Sequence, residues 1–176
     1  MYVAVARGGT VTDQLIMSSP DAVTWTTRTM PVSGSLRSIE YGNGIFLAIN
    51  DNLSLILTST DGITWTQLPD RSSIVNPDAY FYALKYGGGV FAAISTPTYS
   101  GSGLSARAVW STDGINWNVQ SIPSPDRMWG TFKGLAYGST QDGFNGFYAL
   151  AQYSRTLFGS GAPDSQQTLL LRAAIS

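Results

Sequence analysis

The amino-acid sequence predicts an all-β fold that consists of about four blade-sized antiparallel sheets. A seven-residue pattern, with Ser first, Asp third and Trp last, occurs three times, at residues 19–25, 59–65 and 111–117. We call these segments the Ser–Asp–Trp turns. Their tryptophans are 40 and then 52 residues apart, which is about one β-propeller blade plus a variable loop. Between the turns, short runs of β-branched and aromatic residues are bounded by Gly, Pro and Asn, as is typical of strands joined by tight turns.

The strand pattern divides one domain into four units, at residues 1–31, 32–69, 79–123 and 129–176. In the second unit, the turn Gly42-Asn43-Gly44 joins two predicted strands, because Gly and Asn tolerate the positive φ angles of hairpin turns. We predict a β-propeller-like array of about four antiparallel blades with fourteen strands and no helix. The predicted strands are residues 2–6, 14–18, 24–29, 36–41, 45–50, 54–59, 64–68, 81–86, 90–95, 106–111, 116–122, 132–137, 146–152 and 168–174.

The first and last units are each one strand short of this pattern. The first unit begins with the strand that corresponds to the second strand of a complete unit, and the last unit ends with the strand that corresponds to the third. Units of this kind leave strand edges open, and open edges promote aggregation unless they are covered. We therefore expect stable contacts with neighbouring subunits through residues 1–6 and 169–176, so that oligomerisation completes the array.

The composition excludes several classes of function. The 176 residues contain no Cys and no His, and Glu40 is the only glutamate, so disulfide frameworks, thiolate metal sites and His bases are excluded. Charged residues make up 12% of the chain, the net charge is −1, and no basic patch suggests nucleic-acid binding. No membrane span and no cleaved signal peptide are expected, because the apolar runs are too short. We predict a non-enzymatic protein without cofactor, metal, nucleic-acid or membrane partner.

The residue types of the Ser–Asp–Trp turns suit a structural role. An Asp carboxylate and a Ser hydroxyl can accept backbone N–H groups within a tight turn, and Gly permits the left-handed position. The Trp ring can cover the turn and leave its N–H for a carbonyl. The predicted structural residues are Ser19, Asp21, Trp25, Ser59, Asp61, Trp65, Ser111, Asp113 and Trp117. Catalytic carboxylates or a calcium site are the alternative, which the placement in three separate units disfavours.

The turns resemble the Asp-box, or BNR repeat, of sialidase-like and related β-propellers, usually written Ser-x-Asp-x-Gly-x-Thr-Trp. Here the Gly follows the Asp directly, and Ala22 replaces it in the first copy. The shorter form resembles turns of bacterial and bacteriophage proteins. The resemblance implies a propeller with each turn between the third and fourth strands of a blade, away from the central channel. Catalysis of the sialidase type would need three Arg and a Tyr–Glu pair; Arg37 shares a strand with Glu40 and Tyr41, but no local motif joins three Arg.

Polar insertions at residues 70–79, 96–103, 139–143 and 154–167 are predicted loops, and insertions in repeat proteins often form a binding face. Aromatic side chains in or beside such loops suit sugar stacking or a protein interface, although packing in a sheet core is the alternative for each of them. The candidate binding residues are Tyr99, Trp129, Phe144 and Tyr153.

These observations favour a structural or binding protein of a virus particle, above all a bacteriophage capsid decoration, fibre or tail adhesin located in the virion. Its expected partners are other virion proteins, copies of itself and surface glycans. One alternative is a bacterial carbohydrate-binding or sialidase-like propeller. Another is an assembly factor that resembles the photosystem-assembly propellers; it predicts a basic, Arg-lined face, which the sparse arginines of this chain disfavour.

Overall fold

The computed structural model describes residues 1–6, 15–70, 79–100, 103–123, 129–141, 143–155 and 165–173. Within these ranges every regular element is a β-strand, and the strands form four antiparallel sheets. The same ranges contain no helix with the length and hydropathy needed to cross a membrane. The predicted all-β class and the antiparallel sheets are therefore confirmed.

Sheets 1 and 2 follow the order of the chain. Sheet 1 consists of β1 (Tyr2–Ala6), β2 (Leu15–Ser19) and β3 (Thr26–Arg28). Sheet 2 consists of β4 (Ser38–Gly42), β5 (Ile45–Ile49), β6 (Ile56–Ser59) and β7 (Thr66–Gln67). The predicted strands agree with these bounds to within two residues at each end. Their outer strands are short because the Ser–Asp–Trp turns extend up to the start of β3 and β7.

Sheet 3 contains one strand that was not predicted. Its strands are β8 (Phe81–Gly87), β9 (Val90–Ser95), β10 (Thr98–Ser100), β11 (Gly103–Ser111) and β12 (Asn118–Pro123). The long strand β11 pairs with β9 and β10 along one edge and with β12 along the other. The expected loop at 96–103 therefore contains β10, because the first residues of β11 extend past β9 and offer it a free edge.

Sheet 4 has three strands, β13 (Trp129–Ser139), β14 (Asn145–Arg155) and β15 (Ser165–Ala173), in that order. The hairpin of β13 and β14 is longer than predicted and contains a register shift between Phe132 and Gly134. Parts of the expected loops at 139–143 and 154–167 consequently belong to strands, and residues 156–164 lie outside the described part of the chain.

Successive sheets pack face to face, and each junction contains one apolar cluster. We call the face of a sheet that points towards the preceding sheet its front face and the opposite face its back face. At the first junction, Val3, Val5 and Ile16 on the back of sheet 1 pack against Phe46 and Ala48 on the front of sheet 2. Alternate residues of a strand point to opposite faces, so β5 contributes to two clusters.

The other two junctions have the same organisation. Between sheets 2 and 3 the cluster includes Leu47, Ile49, Ile56, Phe81, Leu84, Phe91, Ala93 and Val109. Between sheets 3 and 4 it includes Val90, Ala92, Ile94, Ala106, Phe132, Leu135, Phe147 and Ala149. In sheets 2 and 3, alternate residues of the second strand thus line the junction with the preceding sheet and the junction with the following sheet.

A Tyr–Gly contact fixes the spacing of two junctions. A Cβ atom at Gly42 would overlap with the ring of Tyr86, and a Cβ atom at Gly87 would overlap with the ring of Tyr137. Each tyrosine also packs against a phenylalanine of its own hairpin, with 4.9 Å between the ring centroids of Tyr86 and Phe91. Glycine is required at both positions because the ring of the following sheet lies directly on the backbone.

Candidate functional site

The second Ser–Asp–Trp turn is a closed local network of hydrogen bonds. Oδ1 of Asp61 accepts hydrogen bonds from the backbone N–H groups of Ile63 and Thr64, both at 2.8 Å, and from Oγ of Ser59 at 2.9 Å. Oγ of Ser59 in turn accepts the backbone N–H of Gly62 at 2.8 Å. One carboxylate oxygen thus binds three donors within six residues of chain.

The third turn has the same arrangement, and the first differs only in that Oγ of Ser19 accepts the backbone N–H of Asp21, at 3.3 Å. Their Oδ1 distances lie between 2.7 and 2.9 Å; the donors are Ser19, Val23 and Thr24 for Asp21, and Ser111, Ile115 and Asn116 for Asp113. In the third turn, Nδ2 of Asn116 also donates to Oδ2 of Asp113 at 2.8 Å. Both oxygens of that carboxylate are therefore used within the turn.

These donors lower the pKa of all three carboxyl groups, because they stabilise the charged form. Two backbone N–H groups have the largest effect in each turn, and the Ser hydroxyl adds to it. The pKa of Asp21 and the pKa of Asp61 are each lowered to about 2, and the pKa of Asp113 lies well below its ordinary range. A general acid needs a pKa near the working pH, so these carboxylates are poorly suited to that chemistry.

The residue that follows each Asp has a left-handed backbone. The φ angle is 61° at Ala22, 73° at Gly62 and 75° at Gly114. For a residue with a Cβ atom this conformation costs about 1–2 kcal/mol. The first turn therefore carries backbone strain that the other two avoid, and its Ala22 is exposed to solvent.

The second and third turns lie on the back face of the preceding sheet. A Cβ atom at Gly62 would be 2.8 Å from Cγ2 of Val3 on β1. A Cβ atom at Gly114 would be 3.1 Å from Cδ1 of Ile45 on β5. The three Ser–Asp–Trp turns belong to three different sheets, so their carboxylates do not form a shared acid–base pair.

The three tryptophans differ in environment although their sequence pattern is the same. Nε1 of Trp25 donates to the carbonyl of Ala22 at 3.2 Å, and Nε1 of Trp117 donates to the carbonyl of Gly114 at 3.1 Å. Trp65 is 6% exposed, and its Nε1 has no hydrogen-bond partner in the described part of the chain, whereas Trp25 is 37% exposed. The junction between sheets 1 and 2 buries Trp65, whereas no sheet in the described part of the chain covers Trp25.

Asn43, in the turn between β4 and β5, makes contacts that the sequence did not reveal. Its Nδ2 donates to the carbonyl of Gly89 at 3.0 Å and to the carbonyl of Thr112, in the third Ser–Asp–Trp turn, at 2.6 Å. The recurring Tyr-Gly dipeptide ahead of this turn, at Tyr41-Gly42, Tyr86-Gly87 and Tyr137-Gly138, was the available signal. Asn43 thereby joins sheet 2 to two turns of sheet 3.

A charged and aromatic surface lies where β4 and the segment before it face β8. The guanidinium group of Arg37 lies 4.7 Å from the ring centroid of Tyr82, within cation–π range, and 3.8 Å from Oδ1 of Asp51. On the same pair of strands, Lys85 forms an ion pair with Glu40. We call Arg37, Glu40, Tyr82 and Lys85 the β4–β8 surface.

The candidate binding aromatics lie on or next to strands of sheets 3 and 4. Tyr99 lies on β10, while Trp129 and Tyr153 take neighbouring register positions on β13 and β14; all three therefore lie on strands rather than in loops, and only their backbone is described. Phe144 lies at the other end of that hairpin, where its ring packs edge-on against Tyr148 with 5.4 Å between centroids.

No metal centre is found among the residues that the structure describes, since no three His, Cys, Asp or Glu side chains come together. The chain matches no protein-family model, no curated protein and no solved structure. The features of the chain that bear on its function are therefore the geometry of the turns, the sheets and the β4–β8 surface.

Proposed function

We propose that this chain is a non-enzymatic structural or binding protein of a virus particle, of the type used for bacteriophage capsid decoration, fibres or tail adhesins. In this proposal its four sheets are the blades of a propeller-like array, and the Ser–Asp–Trp turns are Asp-box-type elements that stabilise the blades. It acts in the virion through contacts with other virion proteins, copies of itself or surface glycans, and it needs no cofactor.

The three hydrogen bonds to Oδ1 of each turn carboxylate carry this proposal. Oδ1 of Asp21, of Asp61 and of Asp113 each accepts three donors from its own turn. A carboxylate held in this way has its acceptor capacity directed into the fold rather than towards a substrate. The chain thus uses its three repeated aspartates for local structure rather than for chemistry.

The charged pairs of the β4–β8 surface also support a non-catalytic role. Sialidase-type catalysis needs free arginines for a substrate carboxylate, but Arg37 lies against Tyr82 and Asp51. It also needs a glutamate that activates a tyrosine, but Glu40 is paired with Lys85. Both groups that the sequence offered for this chemistry have protein partners.

The test is the location of the chain in particles. Antibodies against the purified protein are applied to particles purified by density gradient from cultures that produce the chain, with serum depleted on the same protein as the control. We expect gold label on the particles and co-sedimentation of the chain with them. Protein that stays at the top of the gradient, with unlabelled particles below it, would contradict a virion role.

A carbohydrate-binding protein is the second candidate function. Two exposed aromatic side chains favour it, one of them in the β4–β8 surface. Tyr80 and Tyr82 are both exposed, and Tyr82 presents a ring next to a guanidinium group. Sugars stack on such rings. Glycan-array binding that Tyr82→Ala abolishes, while Tyr2→Ala on sheet 1 leaves it intact, would support this function in place of a purely structural one.

A further inference from the structure

The first strand of sheet 1 corresponds to the second strands of the other three sheets. Tyr2 of β1, Phe46 of β5 and Phe91 of β9 each pair with the first serine of a Ser–Asp–Trp turn. Phe147 of β14 corresponds to them because it packs against Tyr137 as Phe91 packs against Tyr86. This correspondence shows which face of each sheet is covered by a neighbour and which face is open.

The back face of sheet 4 is open. Ile49 and Ile94, on the backs of sheets 2 and 3, are 0% and 6% exposed, whereas the corresponding Leu150 of sheet 4 is 43% exposed. A Cβ atom at Gly138 would meet nothing within 4 Å, although the corresponding Gly42 and Gly87 lie under tyrosine rings. Near Leu150 on this face lie the exposed Ala136, the half-buried Gly138 and the half-buried Tyr148, whose hydroxyl group is buried.

The front face of sheet 1 is also open. Tyr2 is 55% exposed, while the corresponding Phe46 and Phe91 are buried in the first and second junctions. Ala4 and Ala6 are exposed beside it, whereas Ala48 and Ala93 are buried. Trp25 is more exposed than Trp65 for the same reason. A face that is a buried junction in sheets 2, 3 and 4 is therefore exposed to solvent in sheet 1.

We infer that the open back face of sheet 4 binds the open front face of sheet 1 in a second copy of this chain. The contact continues the packing that already joins sheets 1 to 2, 2 to 3 and 3 to 4. The side chains named for the two faces are uncharged, so their association buries apolar surface. Arg172 is the register partner of Tyr148, so the same face also contains the one charged position of β15.

The contact is head-to-tail, and it gives a closed ring or an open filament according to the rotation between copies. It differs from the expected pairing of strand edges at residues 1–6 and 169–176, because it uses the faces of the terminal sheets. It goes beyond the proposed function, since it requires neither a particle nor a glycan, and it can fail while that function stands.

Cysteine cross-linking tests the contact, because the chain contains no native cysteine. Ala4 and Leu150 correspond to Ala93 and Ile49, which share the cluster between sheets 2 and 3. The proposed contact therefore brings positions 4 and 150 of two copies together, and the test variants are Ala4→Cys and Leu150→Cys. The two single variants are purified separately, mixed and oxidised. We expect a disulfide-linked heterodimer in the mixture and a much lower yield when the exposed Thr60→Cys replaces Leu150→Cys.

Two results would overturn the inference. The first is a disulfide that forms within a monomer of the double variant Ala4→Cys, Leu150→Cys but never between the two single variants, since the two faces would then meet within one chain. The second is a mixture with no more heterodimer than the Thr60→Cys control. The cross-linking experiment uses purified protein, and its result does not depend on whether the chain is located in a virion. It therefore tests this inference separately from the proposed function.

Sedimentation of lysine variants provides an independent measurement. Leu150→Lys places a charge in the centre of the contact, and Ile115→Lys is the matched control because Ile115 is 45% exposed in the third Ser–Asp–Trp turn. We expect the parent and Ile115→Lys to form larger species with rising concentration and Leu150→Lys to remain a monomer. A parent chain that stays monomeric, or equal sedimentation of both variants, would refute the contact.

Discussion

The hydroxyl group of Tyr86 donates a 2.6 Å hydrogen bond to Oδ1 of Asn43, across the junction between sheets 2 and 3. The same amide donates through Nδ2 to the carbonyls of Gly89 and Thr112. Asn43 has a φ angle of 48°, a left-handed conformation that Asn adopts more readily than most residues. One side chain in a hairpin turn therefore connects two sheets, and only a residue that tolerates this backbone can do so.

Replacement of Asn43 by Gly should weaken this junction while keeping the turn conformation. Asn43 makes three hydrogen bonds that each contribute about 0.5–1.5 kcal/mol, so we expect the free energy of unfolding to fall by about 1.5–4.5 kcal/mol. A double-mutant cycle with Tyr86→Phe, measured by urea denaturation, should show coupling between the two substitutions. Strictly additive losses would mean that Tyr86 and Asn43 do not act together.

Gly62→Ala should destabilise the protein more than Gly44→Ala does. Both glycines have left-handed backbones, with φ angles of 73° and 78°, so both variants lose about 1–2 kcal/mol to strain. Only the Cβ atom at position 62 meets neighbours, at 2.8 Å from Val3, whereas position 44 has nothing within 4 Å. The added overpacking costs typically about 1–3 kcal/mol. Thermal unfolding that gives equal midpoints for the two variants would contradict the contact between this turn and sheet 1.

Ala22→Gly should stabilise the protein, which is unusual for a substitution to glycine. Ala22 has a φ angle of 61° and is exposed, so glycine removes strain without removing a packed methyl group. The gain in the folded state is offset in part by the greater entropy of glycine in the unfolded chain, and we expect a net increase of up to about 1 kcal/mol. Ala83→Gly, within β8, is the control and should destabilise. A lower unfolding midpoint for Ala22→Gly would show that the left-handed turn is not strained.

Acid should destabilise the fold through the Ser–Asp–Trp turns. The pKa of Asp21 and that of Asp61 are about 2 in the folded protein, against 3.8 ordinarily. The unfolded chain therefore binds more protons in this range, and the stabilisation present above about pH 4 is lost as the pH falls towards about 2. The triple variant Asp21→Asn, Asp61→Asn, Asp113→Asn should be less stable at pH 7 and should show a flatter dependence on pH in urea denaturation. If the free energy of unfolding of the triple variant depended on pH in the same way as that of the parent, the turns would not be the cause of the destabilisation by acid.

Strand positions were largely predictable because they depend on local sequence. The turn Gly42-Asn43-Gly44 and the alternation that follows it placed β5 correctly, apart from one residue at its end. The strand β10 was not predictable in this way, since Thr98–Ser100 pairs with β11 only because β11 extends beyond β9. The candidate binding aromatics Tyr99, Trp129 and Tyr153, expected in or beside loops, lie on strands for the same reason: strand length in a sheet is set by the partner strand.

The sequence by itself determined the Ser–Asp–Trp turns, because their hydrogen bonds join residues two or three positions apart and chain connectivity holds those residues together. The tertiary structure decided which copies of that turn are buried. Trp25 and Trp65 occupy the same place in the same pattern, yet one is exposed and the other is enclosed by the preceding sheet. Contacts such as Asn43 with Thr112 and Glu40 with Lys85 likewise join residues far apart in the chain. They depend on how whole sheets stack, and stacking is driven by the burial of apolar faces that no single turn contains.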